Sequence, residues 1–183
     1  MYGQSAYWGI LAKSAKNCLG YITVSPYEHE VWKTIYPNLL RLIIQTALIV
    51  MSLNPQKKKI IAFTERGGAE GTQIRSALLL SRAKSQLFEA MRSNCCKVYP
   101  RQDLAAELAQ ASIYMQASLY ESFGLLAGEA VAAGCIFAGS DGGSDAGISP
   151  EWAYSSRPTD TLGLLQALKR LDQDLKSHYD NYR

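Results

Sequence analysis

The chain is poor in the residues from which metal centres and disulfide frameworks are made. Its four cysteines are Cys18, the adjacent Cys95 and Cys96, and Cys135, with no C-x-x-C spacing, and its two histidines, His29 and His178, stand apart. That set speaks against a zinc site or a stapled framework and fits a reducing cytoplasm. Charge is equally sparse. Charged residues make up 19% of the chain, the net charge is +3, and the basic residues are scattered, so nothing calls for a nucleic-acid partner.

Long apolar runs are also missing. The longest, residues 39–53, is interrupted by Arg41, Gln45, Thr46 and Ser52. It falls short of the roughly 20 residues needed to cross a bilayer. A buried core helix is the expectation there, with a membrane-associated or partner-facing helix as the other reading. No charged-then-apolar leader follows Met1, so no signal peptide is expected. Internal repeats and low-complexity tracts are absent as well.

What is present is a globular composition: 183 residues, 48% of them apolar, enough for one domain with a sizeable core. Residues 1–17 read as a lead-in, 18–175 as the domain and 176–183 as a charged tail. Strands are expected at 18–24, 60–64, 95–99, 113–117, 135–138 and 153–155. A helix near 28–32 restarts at Pro37 and runs to Leu53; others cover the stretch after the glycine-rich segment 65–71, then 104–110 with Asp103 as its N-cap, 125–133 and 162–175. Strands alternating with helices, joined by crossovers too long for hairpins, imply an α/β fold. Its form is a doubly wound parallel sheet, with ligands at the carboxyl ends of the strands.

The most informative stretch is 112–147, SIYMQASLYESFGLLAGEAVAAGCIFAGSDGGSDAG. It reads as strand, loop, helix, second strand and glycine loop, with Gly134 closing the helix. Free N–H groups at the start of that helix, from Phe123 through Gly124 and Leu125 to Leu126, favour an anion such as a diphosphate. Glu121 and Glu129 bracket the point as E-x₇-E. Carboxylates beside a phosphate repel it, so their task is better read as accepting paired hydrogen bonds from vicinal sugar hydroxyls.

With Glu121, Phe123, Gly124, Leu125, Glu129, Ala130, Ala132 and Gly134 in register, this stretch resembles the signature of retaining GT-B glycosyltransferases of family 4, the group 1 domain. There the pattern is roughly E-G-F-G-L-x-x-x-E-A-M-A-x-G, then an apolar strand and S/T-D-x-G-G. The resemblance covers about residues 18–172. It implies a Rossmann-like, carboxyl-terminal, donor-binding half of a GT-B enzyme, with a nucleotide sugar as substrate and neither metal nor cofactor. It assigns Glu129 to the ribose diol and Glu121 to hydroxyls of the transferred sugar, as the catalytic-site carboxylate. Backbone N–H groups of Phe123, Gly124 and Leu125 would meet sugar and diphosphate, and backbone groups of Val98 and Tyr99 the base. Asp141–Gly143 would be scaffold.

Two departures stand out. The family's first glycine loop, G-R-L-x-x-x-K-G, aligns with residues 22–29, placing Thr23 and Glu28 where cations belong. The turn after the next strand reads Thr64-Glu-Arg-Gly67, from which Arg66 would supply a phosphate contact. Three readings follow: the donor half of a glycosyltransferase, a non-catalytic nucleotide-sugar-binding module, or one subunit of a split enzyme. Each leaves room for an acceptor-binding domain or subunit, or for self-association.

Overall fold

The computed structural model describes residues 13–15, 17–44, 57–64, 68–82, 92–96, 101–118, 124–140 and 154–179. Contacts gather the chain into two units, Met1–Thr46 and Ala47–Arg183.

In the first unit, β1 (Gly20–Thr23) pairs in parallel with β2 (Leu40–Ile43), and α1 (Pro26–Ile35) connects them. α1 opens on a reciprocal cap. The Glu28 amide donates to Ser25 Oγ at 3.1 Å, and the Glu28 carboxylate accepts the Val24 amide at 3.2 Å. Pro26 occupies the first turn, where its missing N–H costs nothing. The helix expected over 39–53 is corrected here: residues 40–43 form a strand instead. A short apolar run fits either state by periodicity, and the parallel register Ile22 to Leu42 decides it. Residues 45–53 lie outside the described part.

The second unit is a five-stranded, wholly parallel sheet in the order β4-β3-β5-β6-β7. Its strands are β3 (Lys58–Thr64), β4 (Arg92–Cys96), β5 (Ala111–Gln116), β6 (Ile136–Ser140) and β7 (Tyr154–Ser156); its helices are α2 (Gly68–Arg82), α3 (Arg101–Gln110), α4 (Leu125–Ala132) and α5 (Thr161–Tyr179). Central strands are apolar on both sides, because successive side chains point to opposite faces. Ile61 and Phe63 pack with Ile113, Met115, the α2 residues Ile74 and Leu78, and the α5 residues Leu164, Leu168 and Leu171. Ile60 and Ala62 pack on the other face with Tyr114, Phe137, Leu108 of α3 and Ala127 and Ala130 of α4. The doubly wound parallel sheet expected from the alternation of strands and helices, Rossmann-like as the resemblance implies, is therefore the observed fold.

Local boundaries follow local chemistry. Gly134, at φ 86, ends α4: its amide donates to Val131 O, and the Cys135 amide to Ala130 O, both at 2.9 Å. These are the two bonds of a Schellman cap. Two expectations shift. The strand placed at 95–99 is β4, Arg92–Cys96. Asp103 is not an N-cap, because α3 already begins at Arg101; its carboxylate falls in the first turn, where the helix dipole still favours it.

Candidate functional site

The connectivity of the second unit creates a crevice. From β3 the chain passes through α2 outward to β4, then returns through α3 to β5 on the other side of β3. The helices after β3 and β5 therefore lie on opposite faces, and the strand ends part between them. This is the switch point at which open α/β sheets bind ligands. β3 ends at Thr64 and β5 at Gln116, so the segments leading to α2 and α4 leave from this edge. Arg66 belongs to the first segment; Glu121 and Phe123 belong to the second. All three, with Val98 and Tyr99, lie outside the described residues.

The described part of the site is α4 and its support. Gly124 is buried and adopts φ 70 and ψ 44, a left-handed conformation that only glycine takes without strain. It stands at the N-cap and has no side chain of its own to offer the first-turn amides, the groups with which a helix start meets an anion. Leu125, the first helical residue, is 53% exposed, leaving this end open to a ligand. Glu129 lies one turn inside and is half-buried. It shares a small cavity with Leu104, Ala105, Leu108 and Ala133, which turns it toward α3. α3 in turn begins directly after residues 97–100, the segment holding Val98 and Tyr99. Of the residues assigned from sequence, the structure places Gly124 and Leu125 at the start of α4 and Glu129 one turn further along it, facing α3.

Beneath that helix start lies a polar layer that sequence reasoning passed over. The Ser140 hydroxyl, at the end of β6, donates to Ser118 O at 2.7 Å. The Tyr114 hydroxyl donates to Gln116 Oε1 at 3.0 Å at the end of β5. Gln116, Ser118 and Ser140 are each at most 3% exposed. A Cβ added at Gly139 would overlap Gln116 O, so glycine lets β6 approach β5 here. The available signal was a cluster of polar residues, Gln116, Ser118 and Ser140, closing two otherwise apolar strands.

The opposite end of α4 is anchored by one cation. Lys57 Nζ donates to Leu108 O at 3.0 Å and Ala109 O at 3.1 Å, at the end of α3, and to Ala133 O at 2.5 Å, at the end of α4. One ammonium thus meets the negative ends of both helices. Burial lowers its pKa, and the nearby Cys135 opposes that shift. Cys135 donates to Leu108 O and Ala111 O at 3.2 and 3.3 Å. Burial pushes its thiol up to about 11, against the pull of Lys57.

Thr23 and Glu28, aligned with the family's cationic positions, have other tasks. The Thr23 hydroxyl is buried and reaches Leu42 O at 3.5 Å across the two-stranded sheet. Glu28 closes the α1 capping box. The D-x-D spacing Asp172-Gln-Asp174 lies within α5, where residues two apart point in different directions. Asp172 is 8% exposed, and Asp174 accepts the Tyr154 hydroxyl at 2.6 Å. Among the described residues no cluster of three metal-ligating side chains occurs, and no helix is long and apolar enough to cross a membrane.

No family model matches the sequence, and no curated protein matches it by sequence. Solved structures do match by shape. TarM superposes with a TM-score of 0.66 at 14% identity, over 91% of this chain and 39% of its own. The pneumococcal O-GlcNAc transferase GtfA, solved with UDP and GlcNAc, gives 0.64 at 14% identity over 91% and 40%. Sucrose-phosphate synthase from Thermosynechococcus elongatus gives 0.62 at 19% identity over 82% and 48%. The fold is that of one Rossmann-like half of a GT-B enzyme, and the chain spans less than half the length of each of these proteins.

Proposed function

We propose that this chain is the donor-binding half of a glycosyltransferase that moves a hexosyl group from a nucleotide sugar with retention, as the family-4 signature implies. The observation that carries the reading is the open start of α4 at the switch point. Gly124 leaves the first-turn amides without a capping side chain, and Glu129 stands one turn inside, beside α3. The amides receive the diphosphate, and Glu129 accepts hydrogen bonds from the ribose diol. Glu121, just before α4, is the carboxylate for the transferred sugar; Phe123 and Leu125 complete the backbone cradle, and Val98 and Tyr99 meet the base. The reaction calls on no metal or cofactor, since the helix start and a cation stabilise the leaving diphosphate.

A helix start contributes roughly 0.3–2 kcal/mol toward an anion. Charge-assisted contacts contribute about 1.5–3 kcal/mol each. With Thr23 and Glu28 engaged locally, Arg66, the arginine that follows β3, is the cation assigned to the diphosphate, and donor affinity is modest. UDP and GDP binding by calorimetry tests the reading: Glu129→Ala abolishes it while the thermal midpoint stays nearly constant. Unchanged affinity in the variant removes the ribose role.

The second reading, a non-catalytic binding module or one subunit of a split enzyme, draws on the matched length. TarM and GtfA each contain more than this chain covers; a split enzyme would draw its acceptor-binding half from a partner or a second copy, and a binding module would need none. The free, exposed Cys18 thiol accords with a cytoplasmic setting.

A further inference from the structure

A second concavity lies on the same unit, at the outer edge of the sheet. It is a groove of about 640 Å³ between β7 and α5. Ser155 and Ser156 both line it. Consecutive strand residues point to opposite faces, so a groove that touches both opens on the edge of the strand and not on a face. β7 is the last strand in the sheet order, and its described pairing is with β6 alone. Among the described residues, the floor of the groove is therefore a strand edge without a second partner, where N–H and C=O groups can pair with another extended chain.

The facing wall is one side of α5. Gln166, Arg170 and Gln173 recur at helical spacing and are exposed, with Lys169 beside them. Leu164, Leu168 and Leu171 occupy the buried side of the same helix. The lining carries two cations against a single carboxylate, Asp160, whose Oδ1 already accepts the Gly163 amide at 2.8 Å as the cap of α5. Lys169 and Arg170 thus give the groove a positive wall beside the edge of β7 that has no partner among the described residues.

We infer that this groove receives an extended, acidic segment of a partner protein, which joins the sheet as a strand beside β7. Backbone pairing supplies the fit, and carboxylates placed on alternate residues meet Lys169 and Arg170. The site is separate from the α4 crevice and does not depend on nucleotide binding.

Fluorescence anisotropy on the whole chain tests it, with a short labelled peptide of alternating glutamate and valine as probe. The acidic peptide binds at least about tenfold more tightly than its lysine–valine counterpart, and the double variant Lys169→Glu, Arg170→Glu reverses that order. Methylating alternate backbone amides of the probe weakens binding by at least about tenfold, because it removes the ladder donors. Hydrogen exchange at residues 154–156 slows when the probe is bound. Equal binding of the methylated peptide, or no binding of the acidic one, overturns the proposal. So does tight capture of heparin that depends on Lys169 without protection of residues 154–156, which would make the groove a polyanion site instead.

Discussion

Ser140 and Ser118 tie the ends of two neighbouring strands together beneath the candidate site. The Ser140 hydroxyl donates to the Ser118 carbonyl oxygen at 2.7 Å, and both residues are almost wholly buried. β6 is thereby fixed to the segment that leaves β5 toward α4. Replacing Ser140 by alanine leaves a buried carbonyl without this donor, at a cost of about 1–3 kcal/mol. Urea unfolding measures it directly. A loss below a few tenths of a kcal/mol would mean that the carbonyl finds water and that the tie is dispensable.

Gly124 holds a left-handed conformation at the start of α4. Gly124→Ala therefore costs about 1–2 kcal/mol, while Gly124→Asn costs less, since asparagine tolerates that region. The order of the two variants in denaturant is the check. Alanine as stable as glycine would show that the helix start relaxes to an ordinary conformation, and the uncapped amides would lose their fixed direction.

Much of the fold was legible because its signals are local. Apolar runs bounded by turn residues marked β3, β5 and β6, and Gly134 marked the end of α4. Residues 40–43 were misread because a short apolar run has no period that separates strand from helix. What settles it is the parallel pairing of Leu42 with Ile22, a contact invisible to local patterning. The site divides the same way. Gly124 and Glu129 sit on one helix and could be read together. Ser118 and Ser140 meet only through the sheet, and Lys57 joins Ala133 across 76 positions of chain. Glu28 looked like a failed cation site, yet the S-x-x-E spacing from Ser25 already spelled a capping box.

Cys135 sets an alkaline limit on stability. Its folded pKa of about 11 lies above the ordinary 9.0. Between those values the unfolded chain has lost a proton that the native state keeps. Its contribution is therefore complete below pH 9 and is lost as pH rises toward 11. Two pH units correspond to something on the order of 2–3 kcal/mol. Lys57, with its lowered pKa, acts in the opposite sense and raises stability with pH across its own window. Cys135→Ser keeps a hydroxyl donor for Leu108 O and Ala111 O and removes the thiol titration. Urea unfolding from about pH 8 to pH 11 should show a shallower decline in the variant. Identical slopes would exclude the thiol as the cause.

The isolated chain should transfer no sugar to an acceptor. Catalysis by transfer requires donor and acceptor to be held in register with water excluded. On the reading proposed above, the α4 start and Glu129 serve the donor alone. Gly124 itself is buried, while Leu125, the first residue of the helix, is open to solvent. TarM and GtfA, which share this fold, extend well beyond the region it matches. Slow donor hydrolysis is the most that a donor site alone supports, because water needs no positioning site. A radiolabelled-donor assay over several sugar nucleotides, with sugar and lipid acceptors, separates the outcomes. Hydrolysis without transfer agrees with the donor-binding reading proposed above. Robust transfer that vanishes in Glu121→Ala would show that the chain completes the cleft by itself, and a second-order dependence of rate on protein concentration would identify a second copy as the acceptor side.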